Sequence, residues 1–295
     1  MIEASIAEDA MNKLSKEKRA QVIGALVEGS SIRSTVRMTG VSMMTVLKLL
    51  REIGEVCRRY QDEHFRSLTC KRIQVDEIWS FCRAKARNVP EEHKNEFGWG
   101  DVWTWVALDA DTKLVPSWLI GNRGLVCATE FIADLKGRLA HRVQLTSDGY
   151  HQYLRAVESA FGSDVDYAIL MKIYGPAPEQ HRYSPPQCIG IRSDMVRGNP
   201  DPAHISTSYI ERQNLTMRMQ MRRFTRLTNG FSKKIENHAA AIALHYMAYN
   251  FVKIHKTLRV TPAMAAGLTD HAWELEEIVE LLEKQEAVSL MANSN

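Results

Sequence analysis

The order of apolar patterns between residues 72 and 174 constrains the fold more than any other feature of this sequence. Strand-like runs occur at "RIQVDEIWSF" and within "VWTWVALDADTKLVPSWLIG", where the turn residues "DADTK" separate two antiparallel strands. An amphipathic helix, the short apolar strand "RVQLTSDGY", a second helix and the strand "DYAILMKIY" follow. Three strands and then two helix–strand units predict an α/β fold with a ribonuclease-H-like mixed sheet, in which the first three strands are antiparallel.

The first 60 residues instead show helical spacing and predict an all-α helix-turn-helix domain. In "GSSIRSTVRMTGVSMMTVLKLLREIGE", Gly40 suits the left-handed turn position, and Ser42 suits the N-cap of a helix from Met43 to Ile53. The second helix of such a motif enters the major groove of DNA. An ordinary three-helix bundle is the alternative. The candidate DNA contacts on the outward side of this helix are Ser42, Met43, Thr45, Lys48 and Arg51.

Four segments follow from these patterns. Residues 1–60 form the helix-turn-helix domain, 61–71 a linker and 72–266 the catalytic domain, while 267–295 form an acidic C-terminal helix and tail. An irregular insertion at about 175–205 carries six prolines and three glycines, with a short hairpin expected around "CIGIRSDMVRG". The acidic helix "HAWELEEIVELLE" is expected to pack on the catalytic domain or on a second protomer.

Charge is distributed unevenly along the chain and predicts a nucleic-acid partner. Residues 13 to 59 hold ten Lys or Arg and four Glu, and residues 211 to 234 hold seven Lys or Arg and one acid. Residues 270 to 286 hold seven acids and one Lys. Two basic zones suggest a polyanion, with solvated helix faces as the alternative for either zone.

The N-terminal sequence and the cysteine spacing bear on the cellular location of the protein. Five scattered cysteines form no C-x-x-C pair, so neither a structural zinc site nor a disulfide framework is expected. The N-terminal stretch lacks the apolar core of a secretory signal, and no run approaches 18 apolar residues. We expect a cytoplasmic protein without a membrane partner.

Three acids occupy positions that the predicted topology brings together. Asp76 lies inside the first strand, Asp148 follows the fourth, and Glu211 begins a later helix. The first and fourth strands are neighbours in this topology, so the two aspartates converge, and a helix laid across the sheet adds the glutamate. Mutually repelling carboxylates are stabilised by a hard divalent cation, which predicts Mg²⁺, with Mn²⁺ as its substitute. Two such ions can catalyse phosphodiester chemistry.

Neighbouring candidates receive other interpretations. Glu77 must face the side of the strand opposite to Asp76, where we expect a surface or ion-paired residue. Asp109 and Asp111 lie in a turn, where aspartate is common. Tyr150 or Tyr209 could serve a tyrosine recombinase, but that chemistry leaves the three acids unexplained.

A run of cations follows Glu211 and predicts a DNA-binding surface. Glu211, Asn214 and Arg218 share one helical face, so the acid can point at a metal while the arginine points at a neighbouring phosphate. The candidate DNA contacts in this zone are Arg212, Arg218, Arg222, Arg223, Arg226, Lys233 and Lys234.

The segments "VDEIWSF", "TSDGY" and "STSYIERQNLTMRMQMRRFTRLTNGFSKK" resemble the DDE transposases of bacterial insertion sequences, most closely the insertion sequence one family. "YNFVKIHKTLRVTP" is similar to a common ending of DDE transposases and integrases. The resemblance covers about residues 72 to 265 and is most specific over 206 to 234. The chain lacks the N-terminal zinc-binding ribbon that members of this family often carry.

The resemblance implies a metal-binding triad of Asp76, Asp148 and Glu211. It also implies DNA transposition by strand cleavage and strand transfer, and a bacterial, nucleoid-associated location. The expected partners are double-stranded DNA, as inverted-repeat ends and target, and further copies of the chain in a homodimer or larger oligomer. Two other functions stay open: a helix-turn-helix regulator with a catalytically retired ribonuclease-H-like domain, and a structure-selective nuclease.

Overall fold

A six-stranded mixed sheet in the order β3-β2-β1-β4-β5-β6 forms the centre of the computed structural model, which describes residues 13–175, 187–225 and 228–293. The strands are β1 (Arg72–Cys82), β2 (Gly100–Asp109), β3 (Trp118–Gly121), β4 (Gln144–Ser147), β5 (Asp166–Tyr174) and β6 (Cys188–Arg197). β1, β2 and β3 pair antiparallel, and β1, β4 and β5 pair parallel. The predicted α/β class, the antiparallel first three strands and the adjacency of the first and fourth strands are confirmed.

Strand β1 extends well beyond its parallel neighbour β4. Their pairing runs only from Arg72 opposite Gln144 to Gln74 opposite Thr146, whereas β1 remains paired with β2 as far as Cys82. The residues of β1 that follow Gln74 therefore border the space beyond the carboxyl end of β4. This offset leaves an edge at which acidic side chains gather.

Helices cover both faces of the sheet. They are α1 (Lys16–Val27), α2 (Ile32–Thr39), α3 (Met43–His64), α4 (Leu125–Arg138), α5 (Gln152–Phe161), α6 (Ser208–Gln220), α7 (Ile235–Met247), α8 (Pro262–Ala265) and α9 (Leu275–Asn293). On one face, Ile73 and Val75 of β1 pack in a cluster with residues of α4 and α5, such as Phe131. On the other face, Ile78 packs in a cluster with Ile210 of α6 and residues of α7. Alternate residues of β1 therefore face different helices.

The predicted local geometry between α2 and α3 is confirmed. Gly40 ends α2 in the left-handed region with φ +70°, and the Ser42 hydroxyl caps α3 by accepting the Thr45 backbone N–H at 3.2 Å. Helix α3 is longer than predicted, because it continues past Ile53 to His64. Residues 61–64 of the predicted linker are therefore helical, and the division into separate domains stays a prediction.

Helix α3 crosses α7 at very short range, and a glycine makes this possible. A Cβ atom on Gly54 would lie 2.4 Å from the Cα of Ala240 on α7. The contact joins the N-terminal helices to the helices on the sheet, and one apolar cluster includes Leu50 and Ile53 of α3 together with Ala243 of α7. The N-terminal helices are thus packed on the sheet-containing part of the chain.

The C-terminal helix packs on the N-terminal helices and not on the sheet, as one prediction had it. Helix α9 contacts α1 and α3, and its packing on a second protomer stays a prediction. Lys16 pairs with Glu280 at 2.6 Å, and Arg19 pairs with Glu286 at 3.4 Å. The acidic helix therefore partly neutralises the basic N-terminal helices.

The insertion also differs from its predicted form. "CIGIRSDMVRG" does not form a hairpin by itself but supplies β6, which pairs antiparallel with β5. Residues 176–186 of the insertion, and Arg226 of the basic run, lie outside the described residues. Within the described ranges, no helix combines the length and apolarity needed to cross a membrane.

The Gly54 contact predicts a position-specific loss of stability. Gly54→Ala should reduce the free energy of unfolding by about 1–3 kcal/mol, because the added methyl collides with backbone that cannot yield without moving α7. Gly137→Ala in α4 is the matched control, since nothing lies within 4 Å of its added Cβ, and it should be neutral or stabilising by up to about 1 kcal/mol. Urea unfolding measures both, and equal effects would contradict the close crossing.

Candidate metal and nucleic-acid site

Three carboxylates converge at the edge beyond the end of β4. Asp76 lies in β1 two residues past the last residue paired with β4, and Asp148 directly follows β4. Asp76, Glu77 and Asp148 each offer a carboxylate oxygen within 4.8 Å of the other two. Asp76 and Asp148, both predicted from sequence, are thus brought together, and Glu77 joins them.

Two hydrogen bonds hold the Asp76 carboxylate in place, whereas burial and neighbouring negative charges destabilise its ionised form. Its Oδ1 accepts the Glu77 backbone N–H, and its Oδ2 accepts the side-chain amide of Asn214 on α6, both at 2.8 Å. Burial of the carboxyl group, together with the charges of Glu77 and Asp148, raises the pKa of Asp76 to about 7. None of the ion pairs in the described ranges involves Asp76 or Asp148.

Glu77 reaches the same edge from the other face of the sheet. As predicted, it is ion-paired: Arg123 donates to its carboxylate, and the Tyr153 hydroxyl donates to its Oε2 at 3.0 Å. Sequence reasoning nevertheless missed its proximity to the aspartates. Alternation along a strand separates side chains above and below the sheet, but at Asp76 and Glu77 the neighbouring strand β4 has already ended.

Glu211, the third predicted acid, is not among these three. It lies in the first turn of α6, where Lys172 of β5 donates to its Oε2 and the Thr207 hydroxyl donates to its Oε1 at 2.7 Å. The charge of Glu211 still contributes to the raised pKa of Asp76. Its assignment as a metal ligand stays a prediction.

Two amides that sequence reasoning missed attach α6 to the sheet. The Gln74 side-chain oxygen accepts the backbone N–H groups of both Tyr209 and Ile210 at 3.0 Å, which satisfies two donors at the start of the helix. One helical turn beyond Glu211, Asn214 donates to Asp76. Together these bonds fix where Glu211 lies relative to the aspartates.

The residues present fit a divalent cation. Carboxylate oxygens are the ligands that Mg²⁺ and Mn²⁺ prefer, and three such groups lie within reach of one point. Arg123 pairs with Glu77, and it lies close enough to Asp148 for the charge of that carboxylate to help raise the pKa of Arg123. A cation bound to Asp76 and Asp148 would offset both the burial of the Asp76 carboxylate and the neighbouring negative charges that raise its pKa.

The basic candidates of α6 and the segment after it occupy different environments. Arg212, Arg222, Lys233 and Lys234 are exposed, and Arg218 is half-buried. Arg223 is turned inward, where it donates to the Ser232 hydroxyl at 3.1 Å and to the Asn237 carbonyl at 2.7 Å, and burial lowers its pKa to about 10. Arg223 therefore acts in packing in this structure.

The candidates at the start of α3 are mostly exposed. Ser42, Met43, Lys48 and Arg51 are exposed, and Thr45 is half-buried against the Ser42 hydroxyl. Sequence reasoning missed Met44, whose side chain is 73% exposed. A cavity of about 570 Å³ is lined by Arg33 and Met43 on one side and by Arg222 and Lys233 on the other. The two basic zones thus meet at one groove.

Comparisons with known proteins give only distant likenesses. Neither a protein-family model nor a curated protein matches this sequence. Among solved structures, the chain is similar to a piggyBac transposase in a synaptic complex with hairpin DNA, at 10% identity over 94% of this chain and 74% of that chain, with a TM-score of 0.40. It is also similar to a pre-cleavage Mos1 transpososome, at 12% identity over 53% of this chain and 60% of that chain, with a TM-score of 0.22. Such values assign no function, and the resemblance to the insertion sequence one family stays a hypothesis.

The raised pKa of Asp76 predicts a pH-dependent stability in the absence of metal. The folded chain binds this proton more tightly than the unfolded chain, whose aspartate has an ordinary pKa near 3.8, so Asp76 destabilises the fold as pH rises from about 4 to about 7. Asp76→Asn should therefore raise Tm in EDTA at pH 8, and raise it less at pH 5.

Asp164→Asn is the control for this measurement. Its hydrogen bond from Lys136 lowers the pKa of Asp164, so removing that carboxylate should not stabilise the protein at pH 8. Differential scanning fluorimetry at the two pH values compares the variants with the unmodified chain. A Tm difference for Asp76→Asn that is the same at pH 5 and pH 8 would contradict the assigned repulsion.

Proposed function

We propose that this protein is a metal-dependent DNA transposase of the DDE type, which binds the ends of its element and catalyses strand cleavage and strand transfer. One observation carries the proposal: Asp76 and Asp148 converge beyond the end of β4 without a cationic partner among the described ion pairs. Uncompensated buried charge is costly, and a structural role gives no reason to keep it.

Asp76 and Asp148 hold Mg²⁺, for which Mn²⁺ can substitute, and Glu211 is the third ligand of the proposed triad. When bound, the metal lowers the pKa of the attacking water or 3′ hydroxyl and stabilises the charge of the leaving oxygen. Asn214 orients Asp76 through its hydrogen bond, and Gln74 fixes the start of the helix that carries Glu211. Lys172, which pairs with Glu211, can exchange that carboxylate for a DNA phosphate.

The exposed cations hold double-stranded DNA next to this site. Phosphate contacts from Arg212, Arg222, Lys233 and Lys234 position the substrate, whereas base contacts from the start of α3 distinguish the element ends from other sequences. Arg218 is a further proposed phosphate contact, and Arg226 stays a candidate from the sequence because it lies outside the described residues. We expect the protein to act in the bacterial cytoplasm at the nucleoid, as a homodimer or larger oligomer, because joining two ends requires two active sites.

A helix-turn-helix regulator is the second candidate function. The exposed side chains of Met43, Lys48 and Arg51 at the start of α3 favour it, because they are available for base contacts whether or not the acids bind metal. The two functions predict the same DNA binding and differ in whether the bound DNA is cut.

The distinguishing experiment measures cleavage and binding on one substrate. DNA that carries the inverted repeats flanking the gene should be nicked in Mg²⁺ by the unmodified chain. Asp148→Asn and Glu211→Gln should each lower the rate more than about a hundredfold, because even partners of metal ligands are worth roughly 10–100-fold. Fluorescence anisotropy should show unchanged DNA affinity.

Glu158→Gln serves as the matched control, because this exposed acid on α5 is replaced by the same kind of amide away from the cluster. It should cleave at the unmodified rate. Tight binding by the unmodified chain with no cleavage in Mg²⁺ or Mn²⁺ would favour the regulator. Cleavage by Asp148→Asn at the unmodified rate would refute the assignment of the acids.

A further inference from the structure

Among the described residues, the outer edge of the sheet carries an exposed apolar surface. Strand β6 is the last strand in the sheet, and eight of its ten residues are exposed. Its large apolar side chains Ile189, Ile191 and Met195 are 66%, 64% and 57% exposed. Soluble monomers rarely leave such a surface on a sheet edge, because its unpaired backbone groups invite another strand.

The middle of β6 is suited to further pairing. Its residues from Gly190 to Met195 pair with Ile173 to Ala168 of β5 in uninterrupted register, and irregularities occur only towards the two ends. A regular stretch of this kind presents its outer backbone groups in one line. No proline or lysine, the usual protections of an edge, occurs in β6.

We propose that β6 pairs antiparallel with β6 of a second copy of this chain, about a two-fold axis through Ser193. The two sheets then join into one continuous sheet, in which each β6 is an inner strand. Such an isologous contact uses one surface twice and needs a sequence that is complementary to itself.

The sequence of β6 has this complementarity in one register. With Ser193 opposite Ser193 of the second copy, Arg192 lies opposite Asp194 and Ile191 lies opposite Met195, each pair occurring twice. Cross-strand pairs of opposite charge and of apolar side chains are the favourable ones. Within one chain, Arg192 Nε already contacts Asp194 Oδ1 at 2.9 Å, so the two side chains lie on the same surface of the strand.

Other registers are disfavoured by charge. A shift of the axis to Arg192 opposes two arginines, and a shift to Asp194 opposes two aspartates. Moving the two-fold axis to a point between Ser193 and a neighbouring residue places Arg192 and Asp194 opposite neutral or apolar side chains. It also removes the pairing of Ile191 with Met195. The register centred on Ser193 alone satisfies both pairs.

The pairing has a consequence that rests on the proposed function. The two-fold axis of this pairing is perpendicular to the plane of the joined sheet, and rotation about it does not exchange the two faces of the sheet. Both copies of α6 therefore lie on the same face. Five strand spacings, roughly 24 Å, separate β4 from β4 of the second copy. Two acid clusters at this separation can act on two DNA ends, whereas the pairing itself needs no DNA.

Charge reversal tests the register without DNA. In sedimentation velocity, the unmodified chain should be a dimer, and Arg192→Asp and Asp194→Arg should each raise the dissociation constant by at least about tenfold, because each opposes like charges twice. Mixing the two variants should restore the dimer as a heterodimer, and so should the double exchange in one chain. Arg155→Asp, an exposed reversal on α5, should leave the dimer intact.

A disulfide cross-link provides a second test, which keeps Arg192 and Asp194 and so does not depend on how well the charge variants fold. Ser193→Cys, combined with Cys188→Ser to remove the exposed thiol of β6, should form a disulfide-linked dimer under mild oxidation, and Cys188→Ser alone should not. A monomeric unmodified chain at tens of micromolar would overturn the proposal. So would a dimer that both reversals leave unchanged and that Ser193→Cys fails to link. Failure of DNA cleavage has no bearing on either readout.

Discussion

The crowding of three carboxylates, those of Asp76, Glu77 and Asp148, around the buried Asp76 side chain is the constraint on which the organisation of this protein depends. β1 continues beyond β4, so its acidic residue and the acid after β4 border one space that contains no sheet backbone. Burial there, together with the charges of Glu77 and Asp148, raises the pKa of Asp76. The ionised form of Asp76 is therefore unfavourable in the fold without a cation, and either protonation or a bound cation would relieve it. The proposed metal site therefore lowers the stability of the fold when no metal is bound.

The surrounding structure holds this unfavourable arrangement in place. Gln74 and Asn214 fasten α6 to β1 on one face, and Arg123 and Tyr153 hold Glu77 on the other. Behind α6, helix α7 connects the sheet to the N-terminal helices at the Gly54 crossing. The groove where Met43 faces Arg222 thus has a fixed geometry relative to the carboxylates, which a DNA duplex bound to both zones requires.

Sequence patterns predicted those parts of the fold that depend on local periodicity. The succession of strands and helices from β1 to β5, the left-handed Gly40 and the Ser42 N-cap each follow from residues close together in the chain. The convergence of Asp76 and Asp148 also followed, because parallel neighbouring strands bring their carboxyl ends together. Contacts between distant residues were not visible: the ion pair of Lys172 with Glu211 and the packing of α9 depend on side chains that meet only in the folded chain. Strand β6 was missed because its apolar residues are exposed and give no buried pattern.

The central claim, that Asp76 and Asp148 hold a divalent cation, is tested most directly by an anomalous difference map from a crystal soaked in Mn²⁺. Manganese accepts the oxygen ligands that Mg²⁺ accepts and scatters anomalously. We expect a peak bound by both aspartates, with Glu211 turned towards it or still paired with Lys172. An empty map at these residues, with Asp76 and Asp148 separated into different contacts, would contradict the account and leave a DNA-binding protein without metal chemistry.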